Sequence, residues 1–536
     1  MMGSGLGDAR TAVLRRVRRW APHLLLGLLA AEALAFVYYG NVNGDEGWYL
    51  QASRLVFRGE IPYRDFAYFQ GPVLPYVYGL PQLLVGPSLL VGRLTSLAFT
   101  AGAVLTIVYL VHRLAGHAAV LWAFLLTLLN PPLMYYLTLV RSEALVTALS
   151  LLALAALFRF RTGIPALTVA PALLLLASGA RIVFLPAFLA VTAFLWWTTP
   201  RTRAVQLLAG GLIGLQALVT FGIPFVLAPQ QAVFGLWSSQ ASRANQWAPS
   251  DVSAGDTFLS KVGDLETLWV WYLIVLVPAV VLASNLVARY REGWRPQRPG
   301  FGSDPLSNYF LIIALAVLIF LPHMALKPIH PIYFVPSSAL LIVSGAAAAV
   351  RAPGSLEAPA SRSSFAALLA VLVLIGSPFY AARYTEFLDF RHPDLKELQE
   401  TGRFLASYLD KDEPFLTFEP TLPLAADRPV MRGLEMGLFS YWPAFSADQA
   451  ELFHVFNREL LAEETGRNGP RIVALTDCDL YYVIGPTAFP ESPASPEDIP
   501  PFRLLPQLKE WYALAETVPN FGQCRANLYI FVHTAP

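Results

Sequence analysis

Charge is the scarcest ingredient of this sequence. Only 14% of its 536 residues are Asp, Glu, Lys or Arg, against about 25% in an ordinary soluble domain. Hydrophobic residues make up 55%, and the mean hydropathy is +0.50. That balance excludes an ordinary soluble chain and describes a protein whose solvent is largely lipid. The net charge is +1, so no basic field attracts nucleic acid and no acidic tail attracts a basic partner. Two cysteines, Cys478 and Cys524, are too few for a disulfide framework or a four-ligand zinc site; they leave room for one bridge, which an oxidising compartment favours. Nucleotide signatures are missing as well. There is no G-x-x-x-x-G-K-[ST] and no G-x-G-x-x-G between a strand and a helix.

What is present is a succession of apolar runs. An arginine cluster (Arg10, Arg15, Arg16, Arg18, Arg19) precedes the run from Ala21 to Gly40. This run reads as a retained membrane helix rather than a cleaved signal, because about 20 residues are enough to span. Ten more candidates follow, near 86–111, 117–137, 143–158, 164–178, 182–198, 204–228, 267–288, 308–322, 331–350 and 364–381. The connections assigned to the cytoplasm hold Arg113, Arg159, Arg161, Arg201, Arg203, Arg289, Arg291, Arg295, Arg298, Arg351 and Arg362. The short connections opposite hold only Arg141, Arg181 and Lys327, a bias that obeys the positive-inside rule.

The fold class predicted is therefore a polytopic α-helical membrane protein of about 11 transmembrane helices with a C-terminal extracytoplasmic α/β domain. Residues 1–20 are expected to be a basic cytoplasmic N-terminus and residues 21–381 a membrane domain with long outer loops at 41–85 and 229–266. Residues 382–536 are expected to form the soluble domain, with the whole in the inner or plasma membrane. Short helices at the membrane interface are predicted within 41–85. In the C-terminal part the pattern predicts a helix over 393–409, a strand over 414–418, a helix over 447–464 and strands over 479–485 and 528–533.

Chemistry concentrates on the outward face. Asp45 and Glu46 follow the first span in Gly44-Asp45-Glu46-Gly47-Trp48-Tyr49, where a carboxylate can serve as base for an attacking hydroxyl, an effect worth about 100- to 10,000-fold; the plainer reading is a helix end. Glu143 beside Arg141 and Arg181 open two later spans, and Arg181 is suited to hold a lipid phosphate through two N–H groups. Helix capping explains Arg141, Ser142 and Glu143 equally well. Arg93 and Glu32 lie within spans, where a charge costs about 2.5–3.5 kcal/mol and demands a partner; Glu32 reads as a structural pairing. Lys327 sits with His323 and His330 in a proline-broken connection, as a point charge for phosphate. The two histidines lack a third metal ligand.

The run from Gly44 to Pro81, GDEGWYLQASRLVFRGEIPYRDFAYFQGPVLPYVYGLP, resembles the first external loop of GT-C glycosyltransferases of the protein mannosyltransferase and aminoarabinose transferase type. Gly92-Arg93-Leu94-Thr95-Ser96, Arg141-Ser142-Glu143-Ala144-Leu145, Gly179-Ala180-Arg181 and His330-Pro331-Ile332-Tyr333 resemble later segments in the same order. The resemblance implies a GT-C fold, a polyprenyl-phosphate sugar donor, inversion at the anomeric carbon, and neither catalytic metal nor cofactor. The acceptor is left open between a glycan, a lipid and a protein. Carried over by position, Asp45 is the catalytic base, Glu46 its partner, Glu143 the second-loop acid and Arg181 a donor-phosphate contact. Where aminoarabinose transferases have lysine before proline, this chain has Gln70-Gly71-Pro72, so Lys327, Arg64 or Arg93 is left to replace that contact. Transfer of a whole glycan from a polyprenyl diphosphate, and flipping or transport of a lipid-linked sugar, are the alternatives.

Overall fold

The computed structural model describes residues 4–240, 258–301, 303–325, 330–350, 384–484, 499–522 and 524–534, with scattered positions between 367 and 378. Among them, six helices are long and apolar enough to cross a membrane: Trp20–Tyr39, Leu89–Ala115, Ser142–Arg159, Gly163–Ala180, Arg203–Leu227 and Pro305–Met324. His117–Leu128 and Pro131–Thr138 are a seventh only if counted together, and they bend by 76° where a single span over 117–137 is expected. The bend falls at Asn130-Pro131-Pro132. Proline has no N–H to give the preceding turn and its ring clashes with it, so the helix restarts there. Asn130 caps the new start by accepting from the Leu133 N–H (3.3 Å) and donates to Ser338 (3.2 Å).

Two other expected spans are shorter than a crossing. Ile182–Thr198 and Ile332–Ala348 are apolar helices of fewer than 18 residues. The span expected over 267–288 belongs to a longer helix, Phe258–Arg291, kinked at Tyr272, and most of 364–381 lies outside the described residues. Val335–Ala348 is buried on every side. Its Ala, Ser and Gly content lets neighbouring helices approach closely, which matters where lipid provides no hydrophobic drive for association.

The loop after the first span forms two short helices, Gly44–Val56 and Val73–Val85. The first starts with a capping box in which the Asn43 side-chain oxygen accepts from the Asp45 N–H (3.1 Å) and Glu46 accepts from the Asn43 N–H (3.0 Å).

The C-terminal part carries a four-stranded sheet of β1 (Leu416–Thr417), β2 (Ile472–Thr476), β3 (Tyr512–Phe521) and β4 (Ala526–His533) in the order β1-β2-β4-β3. Only β1 and β2 run parallel. Strand periodicity divides the core: Ile472, Ala474, Leu528 and Ile530 join the large cluster shared with the helical bundle, while Val473, Leu475, Tyr529 and Phe531 face a second cluster. Three local expectations change. Residues 477–484 are a helix, not a strand, since Thr476 accepts from the Asp479 N–H (3.0 Å) and caps it. The helix expected over 447–464 is two, Ala447–Phe453 and Arg458–Glu464, parted where His454 takes a left-handed conformation. β2 and β3 are additions. Cys478 and Cys524 are bonded to each other, tying the start of the 477–484 helix to the β3–β4 turn.

This C-terminal part lies on the first loop. Gly40 pairs with Leu388, Asn41 N–H donates to the Phe387 carbonyl (3.0 Å), Gln51 donates to the Pro420 carbonyl (3.2 Å) and Arg54 pairs with Asp427 (3.3 Å). Gly47 permits the contact, because a Cβ there would collide with the Thr421 backbone. The Gly44–Val56 helix is thus held between the bundle and the sheet domain.

Candidate active site

Successive residues on a helix point about 100° apart, so Asp45 and Glu46 meet different surroundings. Glu46 is fully buried and accepts from Arg93 Nε (2.9 Å) and Nη2 (2.7 Å), the Val140 N–H (3.0 Å) and the Asn43 N–H (3.0 Å). Four donors saturate a carboxylate. Arg93, also fully buried, gives its other three N–H groups to the carbonyls of Val37 (3.1 Å), Gly40 (3.0 Å) and Asn41 (3.0 Å). Neither residue retains capacity for a ligand. The expectations of Glu46 in catalysis and Arg93 on a phosphate therefore give way to a structural pair joining the ends of the first two long helices. Glu32 is likewise engaged, accepting from the Tyr384 hydroxyl (2.6 Å).

Asp45 keeps its side chain 24% exposed. Its Oδ2 lies 2.7 Å from Arg141 Nη1, and its Oδ1 accepts from Trp48 Nε1 (3.1 Å). Arg141 also donates to the Asn43 side chain (2.7 Å) and stands 3.6 Å from Glu143. Glu143 is fully buried and pairs with Arg181. Charges thus alternate through Asp45, Arg141, Glu143 and Arg181. Beside them, burial pushes the Tyr49 hydroxyl well above its ordinary range, so it stays protonated.

Arg181 occupies the break between Gly163–Ala180 and Ile182–Phe184. Its Nη1 reaches Glu143 and Ser142, and its guanidinium lies 4.9 Å from the centre of the Tyr333 ring. Its Nε and Nη2 have no hydrogen-bond partner among the described residues. They form the straight edge by which a guanidinium grips two oxygens at once. Gly71 brings the first loop against this break, packing on the Gly179 backbone so closely that a Cβ would overlap it. His323 stacks on Tyr333 (5.0 Å), its Nε2 buried without a partner among the described residues.

Arg64 stands apart from this group. It is exposed and bound to Asp65 (2.7 and 2.8 Å), a pairing that holds the Asp65 carboxyl below the usual carboxylate range. Lys327 lies outside the described residues. No group of three or more His, Cys, Asp or Glu side chains is placed to hold a metal among the described residues. One residue escaped the sequence reading: Glu419, which the sheet domain brings to within 3.4 Å of the position a Cβ on Gly44 would take. Nothing in its local sequence marks it, since only folding brings it to the loop.

No family model and no curated protein matches the chain. Solved structures do. ArnT from Cupriavidus metallidurans bound to undecaprenyl phosphate superposes with a TM-score of 0.55 at 14% identity, covering 94% of this chain and 97% of that one. The apo form of the same protein gives 0.54 at 16% identity over the same shares. A likeness at that identity is one of architecture, and it extends from the helical bundle through the C-terminal sheet domain. The chain is a multi-pass membrane protein with the polytopic GT-C fold found in ArnT.

Proposed function

We propose that this protein is an inverting glycosyltransferase that moves a sugar from a polyprenyl-phosphate carrier to an acceptor on the extracytoplasmic face of the membrane. The observation that carries the reading is the open half of the charge chain. It ends at one side in a partly exposed carboxylate, Asp45, and at the other in the uncommitted edge of Arg181. That ArnT is seen with undecaprenyl phosphate supports a lipid phosphate as the group for that edge.

On this reading Arg181 grips the donor phosphate and stabilises the charge that grows there as the bond from the anomeric carbon to phosphate breaks. The acceptor oxygen attacks the opposite face of that carbon, so one displacement inverts it. Loss of the acceptor proton depends on Asp45, which Arg141 and Trp48 hold in one orientation. Tyr333 and Glu143 keep the guanidinium in place. The C-terminal domain lies over the first loop, on the side from which an acceptor would come.

The test is to incubate the purified protein and its Asp45→Asn variant with a panel of radiolabelled polyprenyl-phosphate sugars and host membrane extract. Label should move with the wild type and fall at least 100-fold with the variant. Wild-type turnover by Asp45→Asn would refute the mechanism. Transfer only from a diphosphate-linked glycan, or uptake independent of Asp45, would replace it with a ligase or a transporter.

A further inference from the structure

Glu419 is a carboxylate with half its capacity unused. Its Oε1 accepts from the Thr421 hydroxyl (2.6 Å) and the Thr421 N–H (3.3 Å), which fix its direction. Its Oε2 has no hydrogen-bond partner among the described residues and stands over Gly44, next to Asp45. The residue is partly exposed. Among the described residues no cation pairs with it. The titratable groups it faces are two acids, Asp479 of its own domain and Asp45 of the first loop. Asp479 is itself buried and held by Thr476 (2.6 Å).

Asp45 is the reverse case. Both its oxygens are engaged, one by a guanidinium and one by an indole N–H, so its direction is fixed and it is placed to align a hydroxyl. A carboxylate beside other acids and without a counter-charge favours its protonated form. Burial, with Asp479 and Asp45 adding to it, pushes the Glu419 carboxyl up to about 7.

We propose that Glu419 receives the acceptor's proton, so that the base of this enzyme is a pair of carboxylates contributed by two domains. The inference rests on the transfer reading above. In the step, the acceptor O–H bond breaks as its oxygen bonds to the anomeric carbon. The electron pair of the carbon–phosphate oxygen bond leaves with the polyprenyl phosphate, and the proton rests on Glu419 Oε2 until water takes it. Asp45 orients the hydroxyl throughout. The sheet domain is therefore part of the active site, and its position over the first loop is needed for turnover as well as for stability.

The experiment is the pH profile of kcat/KM for wild type, Glu419→Gln and Glu419→Asp, with thermal unfolding of each as a control. Wild-type activity is expected to rise with pH through about 7 and then level off, since the base works only when deprotonated. Glu419→Gln should lose roughly 10- to 100-fold of kcat, a fraction of a full general-base effect, and its rising limb should move about a pH unit or more to the acid side. Glu419→Asp should recover part of the rate. A wild-type rate and limb in Glu419→Gln, with Asp45→Asn inactive, would overturn the role of Glu419 and leave the transfer reading standing. An active Asp45→Asn would overturn that reading instead. If Glu419→Gln fails to fold, Glu419→Asp decides: a reduced kcat with a displaced limb supports the role, and an unchanged kcat and limb ends it.

Discussion

Glu46 with Arg93 and Asp45 with Arg141 are both carboxylate–guanidinium pairs, built on neighbouring residues of one helical turn. The first is closed: four donors on the acid and five acceptors for the base leave nothing over. The second is open at the acid, which is a quarter exposed, and leads through Glu143 to a guanidinium with a free edge. What separates the two pairs is residual hydrogen-bonding capacity, and on the proposed mechanism that capacity is what the open pair uses. Depth in the membrane, which draws attention to Arg93, does not show that its donors are all engaged.

The comparison breaks most visibly in stability. Glu46→Gln leaves Arg93 buried with a neutral partner and should cost about 3–5 kcal/mol, read as a large drop in unfolding temperature in detergent. Asp45→Asn should change it by less than about 1 kcal/mol. Equal unfolding temperatures for Glu46→Gln and Asp45→Asn would erase the distinction.

Next in size is Arg181→Lys. Lysine keeps the charge but lacks the two-donor edge, and losing one charged hydrogen bond of about 1.5–3 kcal/mol corresponds to a 10- to 150-fold drop in kcat/KM for the donor. The same substitution at Arg93 should instead lower the unfolding temperature. A donor kcat/KM unchanged in Arg181→Lys would remove Arg181 from the phosphate site.

Much of the fold was legible because it follows from composition and periodicity. Apolar runs located the long helices, and the change to mixed composition located the sheet domain. The bend at Asn130 is written in Pro131-Pro132, which the expectation of a single span over 117–137 did not use. β2 was missed because a central strand buried on both faces, Ile472–Thr476, has no alternation to reveal it. β3 was missed because its Ala-Glu-Thr-Val-Pro-Asn sequence suits an exposed edge strand. At the site, Asp45, Glu143 and Arg181 were named from sequence and meet in space. The loss of Arg93 to Glu46 and the arrival of Glu419 from over 370 residues away depend on tertiary contacts that no local pattern encodes.

The smallest effect extends the comparison to the sheet domain. Glu435 is buried, accepts from the Gly433 N–H (2.9 Å) and lies 3.7 Å from Arg432. Lacking the full set of donors Glu46 has, its carboxyl is pushed up by burial to about 7 from an ordinary 4.5. A raised acid favours the fold while protonated. Its contribution is complete below about pH 4.5 and declines as pH rises to about 7. The unfolding temperature should fall by a few degrees across that window, and Glu435→Gln should flatten the decline. An identical pH dependence in the variant would show that other groups govern it.

Every partner of Arg93 belongs to residues 37–46 or, through Glu46, to the turn they begin. During synthesis these residues precede the helix that carries Arg93, so its acceptors have already been made when it reaches the bilayer. Until they gather round it, the second long helix carries an unneutralised cation and cannot settle at its final depth. Integration of that helix and formation of the Asp45 turn are consequently one event: a chain that completes insertion has, in the same act, assembled the turn that carries Asp45.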